Sequence, residues 1–244
     1  MSEYPLRDKR VLITGAARRL GRAFALACAR AGADVVIHHG HSLQAAQDLM
    51  AEIQLAGGRA HIIQADLADA AETARLGAEM ERLGPVDALV NSAAIFEPLS
   101  AVQTSRDDWD RHIAINLTAP FILSQAFARQ LPTELPGTIV NILDWRAIRP
   151  PADHFPYTIS KAALAAMTQS LAIELAPRIR VNGLALGAIL PPGDASVSER
   201  ILNRIPLKRW AEPGEAESAL LFLLAGAGYV TGEILLVDGG RHLA

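Results

Sequence analysis

The chain has 244 residues, half of them hydrophobic and a fifth charged, which is enough for one large α/β domain and too apolar for disorder. A balance of 23 Lys and Arg against 26 Asp and Glu, net −3, excludes a generally basic surface for nucleic acid or membrane, and leaves small molecules or further copies of the chain as partners. The one cysteine, Cys28, excludes an intrachain disulfide and a cysteine-rich zinc site, and a reducing cytoplasm fits it best.

Met1–Arg10 is polar and Val11–Ile13 is too short for a signal-peptide core, so neither an export signal nor a membrane span is expected. From there, short β-branched runs alternate with longer Ala- and Leu-rich stretches, the pattern of βαβ units around a parallel sheet. The runs predict seven strands: Arg10–Thr14, Asp34–His38, Ala60–Gln64, Ala88–Asn91, Thr138–Leu143, Arg180–Leu184 and Ile234–Val237. Between them lie helical stripes such as Leu20, Phe24, Cys28 and Ala31, or Leu164, Met167, Leu171 and Leu175. Cys28 falls on a stripe and reads as a small core side chain. No linker or repeat interrupts the alternation, so residues 1–244 read as a single domain. The irregular stretch Ala188–Pro213 reads as a substrate lid, with a plain surface excursion as the alternative.

The first strand runs into Thr14-Gly15-Ala16-Ala17-Arg18-Arg19-Leu20-Gly21 and then a helix. A glycine turn there exposes backbone N–H groups at a helix N-terminus to a pyrophosphate, so this is read as a dinucleotide site. An NAD site places Asp or Glu about 20 residues beyond the glycine loop to hold the ribose 2′-hydroxyl. Here the second strand ends His38-His39-Gly40-His41-Ser42, without a carboxylate, and Arg18 and Arg19 add positive charge. A 2′-phosphate needs cations and hydroxyls there, which predicts NADPH, with His39, His41 and Ser42 facing it. The spacing of the three histidines does not converge on one point, so no metal is expected. Tyr157 and Lys161 stand one helical turn apart after the fifth strand, where an ammonium favours the phenolate and lowers the phenol's pKa.

With these residues in place the chain resembles the short-chain dehydrogenase/reductase family along nearly its whole length. The resemblance rests on the Thr14-Gly15…Gly21 loop, Asp66-Leu67, Asn91-Ser92-Ala93-Ala94, Asn116, Tyr157-Thr158-Ile159-Ser160-Lys161, Arg180-Val181-Asn182 and Asp238-Gly239-Gly240. It implies a Rossmann-type, doubly wound, seven-stranded parallel sheet with helices on both faces, in three layers. It implies that Tyr157 donates the proton, that Lys161 holds the nicotinamide ribose and lowers the Tyr157 pKa, and that Asn116 positions a relay water. Asp66 and Leu67 would meet the adenine, while Asn91, Ser92, Ala93, Gly187 and Ile189 would line the cofactor. A homotetramer is also implied. Two residues keep plainer readings: Asn116 as a helix kink satisfied internally, and Asp66 as a helix N-cap.

Departures from the family pattern narrow the substrate. Arg19 stands where most members have a glycine, and Leu186-Gly187 where most have Pro-Gly. Asp144, thirteen residues before the tyrosine, replaces the usual serine. A serine donates to a substrate carbonyl, whereas a carboxylate only accepts and repels an oxygen gaining charge. A pterin, with N–H donors and reducible C=N bonds, suits such a site. Arg18-Arg19, the His-rich strand end with Ser42, Phe96, Asp144 with Tyr157, and Asp238-Gly239-Gly240-Arg241-His242-Leu243 are similar to the pteridine reductase and dihydromonapterin reductase branch. That resemblance implies that Phe96 stacks on the pterin and that Arg19 reaches both cofactor and substrate. Ala94 stands where some members of the branch carry serine. The expected activity is NADPH-dependent reduction of a dihydropterin, with dihydrofolate as a further candidate. The alternatives are reduction of a carbonyl such as a 3-oxoacyl thioester, or a non-catalytic NADP(H) sensor.

Overall fold

The computed structural model describes residues 4–191, 195–212 and 214–244. Seven parallel strands form one sheet: β1 (Arg10–Ile13), β2 (Asp34–His39), β3 (Arg59–Gln64), β4 (Ala88–Asn91), β5 (Gly137–Asp144), β6 (Ile179–Leu186) and β7 (Ile234–Val237), in the order β3-β2-β1-β4-β5-β6-β7. Most strand residues are buried because helices cover both faces, as continuous apolar runs require. One face carries α1 (Arg19–Arg30), α2 (Leu43–Leu55) and α8 (Glu215–Leu221) over Ile13, Phe24, Val35, Leu49 and Leu220. The other carries α3 (Ala70–Arg82), α4 (Arg106–Ile113), α5 (Ala119–Gln130) and α6 (Phe155–Glu174), around Leu76, Leu89, Leu123, Phe127 and Leu164. Helix α7 (Ala195–Leu202) belongs to the excursion after β6. No helix among the described residues is long and apolar enough to cross a membrane.

The order reverses between β1 and β4, so the crevice beyond their carboxyl ends is the place where such a sheet receives a ligand. All seven expected strands are present, two with the expected bounds and five with one or both ends shifted by one or two residues. β1 stops at Ile13 because Gly15 takes φ +65°, and β5 runs on to Asp144, paired with Leu186 of β6. Cys28 is fully buried, and burial pushes its thiol up to about 12, as a core side chain demands.

Residues 192–194 and 213 of the expected lid lie outside the described residues. The excursion is closed at its base by the Ala211 N–H donating to the Ala188 carbonyl at 3.0 Å, and anchored by the buried Ile205.

Gly21 sets how closely α1 approaches the loop before it, since a Cβ there would collide with the Gly15 carbonyl. Gly21→Ala is therefore expected to cost about 1–3 kcal/mol, read as a lower urea midpoint. An unchanged midpoint would show that the loop yields freely.

Candidate active site

The glycine loop is held from two sides. Thr14 Oγ1 accepts the N–H groups of Ser92 (2.9 Å) and Ala93 (3.0 Å), binding the end of β1 to the end of β4. The Gly15 N–H donates to His38 Nδ1 at 3.1 Å, and the Ala16 N–H to the His38 carbonyl at 2.9 Å. With Nδ1 accepting, the ring proton sits on Nε2, which donates to the Ala65 carbonyl at 3.0 Å. Burial lowers the His38 pKa to about 4, so the ring stays neutral and keeps this tautomer.

Above the loop lies a groove of about 820 Å³ bordered by Gly15, Arg18, Arg19, Leu20, Gly21, His38, His41, Ser42, Asp66, Leu67, Ser92 and Ala93, reaching Phe96 and Tyr157. A Cβ on Gly15 would lie 2.9 Å from Ala93 Cα, so a side chain there has no room. Arg19 holds φ +50°, the left-handed conformation that favours glycine. A non-glycine residue in this conformation costs about 1–2 kcal/mol.

A second cleft, of about 660 Å³, opens from the groove past Arg19, Leu20, Phe96 and Tyr157. At its floor the Tyr157 hydroxyl donates to Asp144 Oδ2 at 3.2 Å. Asp144 Oδ1 accepts the backbone N–H of Arg146 at 2.9 Å, and the Arg146 guanidinium lies 3.4 Å away. Burial, and then the neighbouring Asp144 carboxylate, hold the Tyr157 phenol well above its ordinary pKa. Lys161 is buried behind the ring, its Nζ 5.8 Å from the Tyr157 centroid and donating to the Ile142 carbonyl at 2.7 Å. Burial lowers the Lys161 pKa to about 8. Phe96 is half exposed, stacked on His154 at 3.9 Å and meeting Tyr157 edge-on at 4.7 Å.

A family model described as Enoyl-(Acyl carrier protein) reductase matches residues 15–242. The chain belongs to the short-chain dehydrogenase/reductase family. It is 34% identical to the 3-oxoacyl-[acyl-carrier-protein] reductase of Synechocystis sp., with 94% of this chain and 95% of the relative aligned. It is 38% identical to the L-rhamnose 1-dehydrogenase (NAD(P)(+)) of Azotobacter vinelandii, covering 96% of each. Among solved structures it is similar to the FolM alternative dihydrofolate reductase 1 of Brucella canis complexed with NADP (TM-score 0.91, 36% identity, 100% of this chain and 97% of that one).

Most of the residues that the family resemblance singled out converge on these two connected cavities, and four sit elsewhere. His39 alternates to the opposite face of β2 and is buried, so the strand-end histidines that border the groove are His38 and His41. Asn91 is also buried; its amide donates to Asn141 Oδ1 at 2.8 Å, beneath the groove wall. Asn116 lies in a π-helical turn (Ala114–Thr118) with no exposed surface. Its carbonyl accepts the Ile95 N–H, and its amide donates to the Ile95 carbonyl and Ser160 Oγ. It therefore pins the loop after β4 to α6, with its side chain satisfied internally. Lys161 borders neither cavity and has one of its three ammonium hydrogens bonded to the Ile142 carbonyl. Gly187 and Ile189 border the second cleft rather than the groove.

In place of the expected lowering, the Tyr157 pKa is raised: burial acts most strongly, and the Asp144 carboxylate 3.2 Å from the hydroxyl adds to it. Asp66 borders the groove; the α3 cap is Asp69, which accepts from Ala71 and Glu72. Arg146, Asp153, His154, Arg204, Trp210 and Arg241 also border the second cleft. Arg241 belongs to the terminal motif and Arg204 and Trp210 to the expected lid, but none of the six is singled out as a site residue by the sequence.

Because folded His38 titrates near 4 and an unfolded histidine near 6.5, the unfolded chain takes up the proton first as pH falls. The stabilisation is complete above about pH 6.5 and is lost toward pH 4, by up to about 3 kcal/mol. Unfolding of wild type and His38→Gln from about pH 7 to about pH 4.5 checks this. The wild type should lose more stability than the variant, and parallel curves would refute it.

Proposed function

We propose that the protein is an NADPH-dependent reductase that converts a 7,8-dihydropterin to its tetrahydro form. The observation that carries the reading is Asp144, at the floor of the substrate cleft, accepting a hydrogen bond from Tyr157 where the family places a hydroxyl donor. A cleft whose central group only accepts suits a ring edge bearing N–H donors and disfavours a carbonyl oxygen becoming an oxyanion. The similarity to the alternative dihydrofolate reductase of Brucella canis, a structure complexed with NADP, supports both substrate class and cofactor.

The groove fits a dinucleotide phosphate. It offers the first turn of α1, without an acidic residue, to a pyrophosphate. At the end of β2 it offers Arg18, His41 and Ser42 to a 2′-phosphate. Lys161, with ammonium hydrogens to spare, would meet the nicotinamide ribose from behind Tyr157. Bound there, NADPH supplies a hydride for the carbon of a ring C=N bond.

The chain supplies the rest. Tyr157, kept protonated through neutral pH, delivers a proton to the ring nitrogen, which suits reduction rather than proton abstraction. A phenolate beside Asp144 is unfavourable, and the Lys161 ammonium behind the ring offsets that charge while the hydroxyl is reprotonated. Asp144 accepts ring N–H groups and fixes the orientation of the bicycle, as pre-placed charge does in a cleft that excludes water. Phe96 stacks on the pterin, and Arg19 bridges the two cavities. Arg204 and Trp210, which border the cleft, support reading the Ala188–Pro213 segment as its lid.

NADPH oxidation with 7,8-dihydrobiopterin, dihydromonapterin and dihydrofolate, in parallel with an acetoacetyl thioester, tests the reading. Turnover of the pterins is expected; turnover of the thioester alone would replace the proposal with the 3-oxoacyl reductase reading that the Synechocystis relative suggests. Asp144→Ser should lower pterin kcat/KM by about 100-fold or more, the scale of losing a charged hydrogen-bond partner in a desolvated site. Affinity for NADPH should remain near that of wild type.

A further inference from the structure

The outer part of the second cleft carries more positive charge than a neutral ring calls for. Five arginines (Arg19, Arg146, Arg200, Arg204 and Arg241) border it against two carboxylates, Asp144 and Asp153. That excess of three positive charges sits in a chain whose net charge is −3. Arg146 is committed, its Nε donating to Asp153 at 3.2 Å and its guanidinium close to Asp144. Among the described residues, no carboxylate lies within 4.0 Å of the other four guanidinium groups.

Arg241 is built into place. It begins the turn after β7, where the Asp238 carboxylate accepts the N–H groups of Gly240 (2.9 Å) and His242 (2.8 Å). Arg149 ties the end of that turn through the Ala244 carbonyl at 2.5 Å. The half-buried Arg241 guanidinium lies 4.7 Å over the Trp145 ring. Burial first, and then the like charge of Arg146, lower its pKa, the Asp144 and Asp153 carboxylates raise it in part, and Arg204, which borders the same cleft, lowers it further. Asp144 and Asp153 offset part of this charge but are both engaged by Arg146, and the remaining cations in a partly desolvated cleft favour a further anion. Nothing in the cofactor groove supplies that anion: Arg204 and Arg241 border only the second cleft, whereas the 2′-phosphate end lies at Arg18, His41 and Ser42.

We propose that Arg204 and Arg241, assisted by Arg200, form a subsite for an anionic tail on the substrate. The preferred substrate is then a reduced pterin whose ring substituent ends in carboxylate or phosphate rather than in neutral hydroxyls. The inference rests on the pterin reading of the ring site, and the cleft volume of about 660 Å³ accommodates a ring with such a tail.

Two matched pairs test it: 7,8-dihydroneopterin with its 3′-monophosphate, and 6-(anilinomethyl)-7,8-dihydropterin with 7,8-dihydropteroate, which adds one carboxylate. The more highly charged member of at least one pair should be preferred by about tenfold in kcat/KM, and the pair that shows it identifies phosphate or carboxylate. Arg204→Gln and Arg241→Gln should each remove most of that preference through KM, and Arg204→Lys should restore part of it. Melting temperature and NADPH affinity identify any variant that has misfolded. Equal kcat/KM within both pairs overturns the inference and leaves the ring reading standing. If none of the four substrates turns over, the ring reading fails, and the subsite is then judged by binding alone. In that case p-aminobenzoylglutamate and phenyl phosphate are titrated into the NADPH-loaded protein, followed by tryptophan fluorescence. Binding weakened by Arg241→Gln supports an anion subsite, and no binding overturns it.

Discussion

The Tyr157–Asp144 hydrogen bond joins the carboxyl end of β5 to the first turn of α6, and the chemistry of the cleft depends on it. β5 reaches Asp144 because its ladder with β6 continues to Leu186, beyond the apolar run. Helix α6 starts after His154, whose φ of +51° turns the chain so that Tyr157 enters the cleft beside Phe96. A carboxylate accepting from a buried phenol keeps that phenol neutral and oriented. A serine at position 144 would instead offer a donor and leave the phenol freer to ionise.

The glycine loop is built on the same principle of a fixed donor and acceptor. Neutral His38 accepts from Gly15 and donates to Ala65, so one imidazole fixes the loop relative to the strand ends on either side. Thr14 does the same toward β4. Two non-glycine residues bordering the cleft, Arg19 and His154, sit in left-handed conformations.

The fold was largely legible because period-2 and period-3.6 patterns alternate without interruption, and because Gly15, Gly21, Tyr157 and Lys161 fall at positions a parallel sheet gives special geometry. Asp144 was legible as a reversal of hydrogen-bonding sense. His38 and His39 were not separable, since a one-residue difference in register moves a side chain to the other face. The sign of the Tyr157 shift depended first on how deeply the ring is buried and then on how near Asp144 stands to the hydroxyl, neither of which spacing along the chain encodes. Arg146, Arg204 and Arg241 come from three remote segments, so no local pattern could announce the charge they concentrate.

The central claim is that Asp144 holds Tyr157 as a proton-bearing donor. Ultraviolet difference titration of wild type against Tyr157→Phe, repeated in an Asp144→Asn background, reads the phenol directly. Wild-type Tyr157 should remain a phenol beyond pH ~10, the ordinary tyrosine value, and ionise at lower pH once Asp144 is neutralised. A phenolate already present near pH ~7 in wild type, or a titration that Asp144→Asn leaves unmoved, would contradict the account.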